Sequence, residues 1–203
     1  METQPEGAPK RSGSEPKRSG SQTKEHAQRV ATALFISQGF EATSLREIAE
    51  QLGISKASLY YHFSNKDAIV ESIIAARRAE IDELVTWFRA QEAGSDLLRR
   101  TVLRWVESSS VDKLRGIRFA NANPATMRRL SRNSADIGGG LITLAELAAG
   151  ENAGATRLLL VKMAFLSINA AVMADPGNQN TDDDIVAAAR TMALAILHEL
   201  GGS

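Results

Sequence analysis

The 203-residue chain contains no cysteine, which removes disulfides, thiolate nucleophiles and cysteine-based zinc or iron–sulfur sites together. Histidine is nearly as scarce. His26, His62 and His198 lie far apart and in no HxxxH or HExxH spacing, so no metal site and no cofactor are expected. There is no nucleophile elbow with a Ser-His-Asp set, no P-loop, and no glycine fingerprint opening a helix after a strand; catalytic residues are therefore not expected, and the chain reads as a non-enzyme. The N-terminus lacks an apolar h-region, and no window approaches the ~18 uninterrupted apolar residues of a membrane span. These absences predict a soluble, cytoplasmic protein without membrane contact. Charge of one sign is also missing in excess: the formal net charge is zero, so any nucleic-acid binding must come from a local basic face rather than a global field. What is present is ordinary. With 43% hydrophobic and 24% charged residues, the composition is that of a globular protein long enough to bury a core.

Residues 1–22 hold Pro, Gly, Ser, Lys and Glu with almost nothing apolar, a composition that cannot offset the entropy of ordering. A disordered tail is expected here. It carries "PKRSGS" twice, presenting Lys10, Arg11, Lys17 and Arg18 as two basic pairs. These suit either a solubilising leader or an arm that reaches DNA phosphates.

From residue 23 the chain reads as helix after helix, with no alternating strand pattern, so the predicted class is all-α with about nine helices. Ala27, Val30, Ala31 and Leu34 follow helical spacing up to a C′ glycine at Gly39. In "TSLREIAEQLG", Ser44 and Glu47 have capping-box spacing, Leu45, Ile48, Ala49 and Leu52 form one stripe, and Gly53 ends a two-turn helix. The pattern restarts at once. Ser55 is a candidate N-cap, Ile54 and Leu59 have staple spacing, and Leu59 and Phe63 lie one turn apart on a buried face. Two short helices joined by a tight glycine turn make a helix-turn-helix, residues 44–63. Ser64 and Asp67 then look like the start of a long helix to about residue 92, and Asp96 like a fresh N-cap. Further helices are expected over 96–109, 111–121, 124–149, 153–174 and 182–200, with Pro124 in a first turn and Asp182, Asp183 and Asp184 at a positive helix end.

With Leu59 and Phe63 inward, Lys56 and Tyr60 project together from another side, flanked by Ala57 and Tyr61. Small residues at Ala57 and Ser58 allow close approach to base edges in a major groove. Tyrosine and histidine offer donors to phosphate oxygens, and Lys66 adds charge at the start of the next helix.

The run "RVATALFISQGFEATSLREIAEQLGISKASLYYHFSNKDAIVESI" resembles the DNA-binding region of the TetR family of transcriptional regulators. "ALF", Gly39, the Thr43-Ser44 pair, "IA", "GIS", "SLYYHF" and "NKDAI" carry the resemblance, over roughly a quarter of the chain. It implies a homeodomain-like three-helix DNA-binding domain over 23–66 and a helical regulatory domain over 67–203. The latter would bind a small-molecule effector and form a homodimer through helices 153–174 and 182–200. The matching positions for contact with a double-stranded DNA operator are Thr43, Ser44, Ser55, Lys56, Ala57, Ser58, Tyr60, Tyr61, His62 and Lys66. Lys56, Ala57 and Tyr60 fall nearest the bases; Thr43, Tyr61, His62 and Lys66 fall on phosphates. Tyr61 and His62 also suit bracing of the recognition helix against the long helix that follows. One departure is Ala57, where glycine is common in the family.

The resemblance further implies a repressor released from a palindromic operator by its effector; a ligand-independent architectural protein and an activator are the alternatives. Candidate cavity residues are Leu84, Trp87, Phe88, Trp105, Phe119, Met127, Leu141, Ile142 and Phe165, all equally suited to plain core. Arg99, Arg100, Arg104, Arg115, Arg118, Arg128, Arg129 and Arg132 crowd one part of the chain, as solvated surface or as a receiver of an anion. Gly138, Gly139 and Gly140 interrupt a helical pattern, which suggests close helix packing, a kink or a mobile pocket wall.

Overall fold

A computed structural model describes residues 20–131 and 137–201. The described residues form ten helices and no strand: α1 Gly20–Gln38, α2 Leu45–Leu52, α3 Lys56–His62, α4 Lys66–Arg89, α5 Leu97–Glu107, α6 Val111–Ala122, α7 Pro124–Ser131, α8 Ile137–Ala149, α9 Ala155–Met173 and α10 Asp182–Gly201. The all-α expectation holds. Ten replaces nine because the helix expected over 124–149 is two, α7 and α8. α1 begins at Gly20, inside the stretch expected to be a tail; Lys10, Arg11, Lys17 and Arg18 lie outside the described residues, as does Arg132.

Local chemistry sets the boundaries of the helix-turn-helix. Ser44 Oγ accepts from Glu47 N at 3.2 Å while Ser44 N donates to Glu47 Oε2 at 2.7 Å, the reciprocal capping box that starts α2. Those hydrogen bonds hold the Glu47 carboxyl below its ordinary pKa. Gly53, at φ 67°, ends α2 in the left-handed region where a side chain would be strained. Two expected caps differ. α4 is capped by Asn65, whose Oδ1 accepts from Ala68 N at 2.8 Å, rather than by Ser64; Asp96 precedes α5 but makes no side-chain cap bond, its carboxylate lying toward Arg99 and Arg100 instead. At α10, Thr181 and Asp184 form a reciprocal cap, and the three aspartates fill the first turn as expected.

Two cores result. The larger packs α4, α5, α6 and α8 against α9 and α10, around Ile81, Val102, Leu114, Leu144, Phe165 and Ile168. The other joins α1–α3 to the first half of α4 through Ala31, Phe35, Ile48, Leu59 and Ile69, and it also takes in Phe119 of α6 and Leu130 of α7. Phe119 lies 5.5 Å from the Phe35 ring and 6.1 Å from Phe40. The boundary at 66/67 is thus crossed by a shared core. Gly140 supplies the reason for one of the interrupting glycines: a Cβ there would stand 3.2 Å from Ile81 Cγ2, so its absence lets α8 approach α4 closely. The surroundings of Gly138 lie outside the described residues. α9 is long and apolar enough by composition to cross a membrane, but here Val161, Ala164, Phe165, Ile168 and Val172 bury one side of it in the larger core.

Candidate nucleic-acid interface and ligand cavity

The turn at Gly53 returns the chain so that Ile54 N donates to Ala49 O, and Ser55 Oγ then caps α3 by accepting from Ser58 N at 3.1 Å. Leu59 and Phe63 are buried in the core that joins α1–α3 to α4. The outer face therefore belongs to Lys56, Ala57, Tyr60 and Tyr61, all exposed, with Ser58 half-buried beside them. Lys56 Nζ stands 5.5 Å from the centre of the Tyr60 ring, close enough for the cation to hold the ring in place. Tyr60 is 45% and Tyr61 88% exposed. Two neighbouring tyrosines left in water on a helix backed by a dry core are surplus to folding, and they leave a face open to a partner.

The remaining expected contacts divide differently. Tyr61 does not brace α3 on α4; its ring meets only solvent and the edge of His62 at 5.3 Å among the described aromatic pairs. His62 is half-buried and lies beside the start of α1, where a side chain at Gly20 would come within 3.9 Å of its Cε1. Thr43 is 1% exposed, and its Oγ1 donates to Gly39 O at 2.8 Å and accepts from Gln38 Nε2 at 3.2 Å. It closes the α1–α2 corner, and no surface remains for a phosphate. Lys66 is also committed: Nζ donates to Phe40 O at 2.6 Å and Glu41 O at 3.1 Å and lies 4.7 Å from the Phe40 ring centre. Its charge ties α4 to the corner after α1 instead of facing outward. Ser44 and Ser55 are exposed, with hydroxyls engaged as caps.

A cavity of about 490 Å³ lies where α1, α4 and α6 meet α5, α7, α8 and α9. Of the expected lining, Trp105, Phe119, Met127 and Leu141 face it. Leu84 and Phe165 are instead buried in the larger core, Trp87 and Phe88 pack against that core from outside, and Ile142 is 44% exposed. What the sequence reading missed is the pair of cations at the cavity, Lys113 and Arg77. Lys113 is 7% exposed; its Nζ donates to Trp105 O at 2.8 Å, sits 3.4 Å from Ser108 Oγ and lies 3.8 Å from the Trp105 ring centre. Arg77 lies over the same ring at 3.9 Å and pairs with Glu80 at 2.6 Å. Burial, with Arg77 nearby adding to it, brings the Lys113 ammonium down to about 7, and burial also lowers Arg77. A signal was present. Arg77 occupies the position one turn from Ile73, Ile74 and Ile81 where the stripe demands an apolar residue, and Lys113 does the same one turn before Ile117.

The arginine-rich stretch is mostly paired surface. Arg99 and Arg100 share Asp96, Arg104 covers the Trp87 ring, Arg118 binds Asp182 at 2.9 Å, and Arg128 is exposed. Arg115 does reach the cavity, together with Arg29, both toward Asp112 at 3.7 and 3.8 Å. Arg129 makes a bidentate pair with Asp67, at 2.6 and 2.9 Å, which clamps α7 to the first turn of α4 and holds the Asp67 carboxyl below its usual range.

A capped helix-turn-helix with an exposed outer face is continuous with a helical body around a cavity. Residues 29–73 match the family model described as bacterial regulatory proteins, tetR family. The HTH-type transcriptional regulator AcrR of Shigella flexneri is 32% identical over 94 residues, 45% of this chain and 44% of that protein. The HTH-type transcriptional repressor KstR2 of Rhodococcus jostii is 33% identical over 85 residues, 42% and 40% respectively. The chain thus spans less than half the length of these relatives. In fold the likeness extends further: the structure of Mycobacterium smegmatis AmtR superposes with a TM-score of 0.62 at 20% identity, covering 92% of this chain and 98% of that one. The match to the tetR family is thus one of residues 29–73, and over the rest of the chain the likeness is one of fold.

Proposed function

We propose that this regulator is a sequence-specific repressor, released from a palindromic DNA operator by a small molecule held in the α1–α4–α6 cavity. The observation that carries the DNA half is the Lys56–Tyr60–Tyr61 face, presented on a helix whose other side is fixed by Leu59 and Phe63. The relative KstR2 is named a repressor, which favours repression over activation. A homodimer in the cytoplasm is part of the reading. Leu159, Met163, Leu166 and Met173 are exposed on α9 at spacings of four, three and seven residues, with Met192 exposed on α10. That is an apolar seam of the kind two copies bury against each other. A two-fold dimer sets its α3 helices against successive major grooves, about 34–36 Å apart.

The cavity is suited to control that spacing. Its wall includes Gln28, Arg29 and Thr32 of α1, Ile73, Ile74 and Arg77 of α4, and Phe119 of α6. Phe119 meets the cavity on one side and the Phe35 and Phe40 rings on the other. A ligand that displaces α6 therefore moves the DNA-binding core directly, and it does so only to the extent that it binds the two arrangements unequally.

Footprinting and operator titration test the reading. Tyr60→Ala and Lys56→Ala should each weaken operator binding at least tenfold with helicity and dimerisation unchanged. Near wild-type affinity in both variants would refute the recognition-face assignment, and smeared protection on genomic DNA would favour an architectural protein.

A further inference from the structure

Among the described residues, Lys113 is a buried cation with no carboxylate in ion-pair contact, Glu80 acting on it only from longer range. By contrast, Arg77 has Glu80, and Arg29 and Arg115 share Asp112. A buried charge of this kind is expensive unless something pairs with it. The cavity lining as a whole carries Arg29, Arg77, Lys113 and Arg115 against Glu25, Glu80 and Asp112. With Lys113 protonated, a single positive charge is left over. A doubly charged phosphate would overshoot that balance, and a neutral molecule would leave Lys113 uncompensated. The rest of the wall is apolar: Val70, Ile73 and Ile74 from α4, Ile117 from α6, Met127 from α7 and Leu166 from α9.

We propose that the cavity takes an amphipathic monocarboxylate, its carboxylate seated on Lys113 and Arg77 beside Trp105 and its aliphatic or aromatic body lying along α4 and α6. This rests on the reading of the cavity as the effector site and names the ligand class for it. The volume of about 490 Å³ suits a molecule of that kind. Bound carboxylate favours the ammonium form of Lys113, so an amine that rests near pH 7 when the site is empty takes up a proton on binding. The other titratable groups lining the cavity, Glu25 and Arg29 from α1, Arg77 and Glu80 from α4, and Asp112 and Arg115 from α6, are those already counted in the balance, and Arg77 and Glu80 act on Lys113 directly.

The test uses the full-length protein and two matched pairs of probes: octanoate with 1-octanol, and 2-naphthoate with 2-naphthalenemethanol. Calorimetric titration at pH 6 and pH 8 is run alongside operator release on the same samples. At least one acid should bind ten or more times tighter than its alcohol, and its affinity should fall about tenfold from pH 6 to pH 8 as Lys113 loses its proton. Lys113→Met should cut the preference for acid at least tenfold, leaving only the share that Arg77 contributes, and Gly116→Leu, which pushes a side chain into the cavity, should remove binding of both members of a pair. Equal affinity for acid and alcohol, binding by neither acid, or an acid preference undiminished in Lys113→Met would each overturn the proposal. The wild-type comparisons of probe and pH stand even if a variant fails to fold. Release of operator by the alcohol as readily as by the acid would overturn the ligand class and leave the effector reading intact. Acid binding that is weakened in Lys113→Met but never releases operator would do the reverse.

Discussion

Replacing Lys113 with methionine should make the protein more stable near neutral pH and below, and the gain should shrink as pH rises. In the folded chain the ammonium titrates at about 7 against an ordinary value of 10.5. Each unit of difference corresponds to about 1.4 kcal/mol, which sets an upper bound of about 5 kcal/mol on the cost of keeping Lys113 protonated and buried at pH 6. Methionine keeps the stem volume and needs no partner, and the Trp105 carbonyl that loses the lysine still accepts from Ser108 Oγ at 3.0 Å. After relaxation and water access a net gain of about 2–4 kcal/mol at pH 6 is expected. Between about pH 7 and 10.5 the unfolded chain holds a proton that the folded one has shed, so wild-type stability rises with pH through this group while the variant's does not. The difference should therefore fall by about 1.4 kcal/mol per pH unit above 7. Urea unfolding followed by circular dichroism at pH 6, 7.5 and 9, at fixed protomer concentration so that the proposed dimer adds the same amount throughout, measures it. A difference that is flat across pH, or a variant less stable at pH 6, would refute the reasoning.

Other expectations follow from packing. Thr43→Val should cost about 1 kcal/mol of stability and leave the salt dependence of operator binding unchanged; Lys66→Met should likewise leave that slope alone, whereas Lys56→Ala reduces it by about one counterion, and a reduced slope for Thr43→Val or Lys66→Met would return them to the DNA face. Phe119→Ala should cost about 3–5 kcal/mol in denaturant titration and weaken operator binding too, although the residue lies far along the chain from the recognition helix. Gly140→Val places branched carbons where the first atom already stands 3.2 Å from Ile81 Cγ2, and a loss of about 1–3 kcal/mol in the same assay is expected.

The DNA end was legible because its determinants are local. Ser44 and Glu47 three residues apart, Gly53 after a short stripe, and Ser55 before another are each decided within a turn or two, and the structure places them as the spacing predicts. Where an expectation failed, a distant residue had intervened. Lys66 reads as a free cation until the fold brings the Phe40 and Glu41 carbonyls to it. Asn65 outcompetes Ser64 as the cap of α4 through backbone geometry that neither residue type declares. The cavity was harder still, since apolar residues at helical spacing look alike whether they fill a core, as Leu84 and Phe165 do, or line a space, as Met127 and Leu141 do. The useful signal was the misfit: Arg77 and Lys113 interrupt stripes that had no structural need of charge.

The insertion of Phe119 and Leu130 among the side chains of α1–α4 bears on how such a molecule can be re-engineered. A chimera cut between α3 and α4, or partway along α4, would separate Phe35 and Phe40 from the ring that covers them. The graft would arrive with an exposed aromatic pair, and the donor body would bring an aromatic of its own with nothing to cover. Exchanging recognition helices alone, by resurfacing Lys56, Ala57, Tyr60 and Tyr61 on an intact chain, avoids the problem, because none of those side chains belongs to the interior. New operator preferences should thus be reachable by surface substitution, while new effector specificities should be sought in place rather than imported as a detachable module.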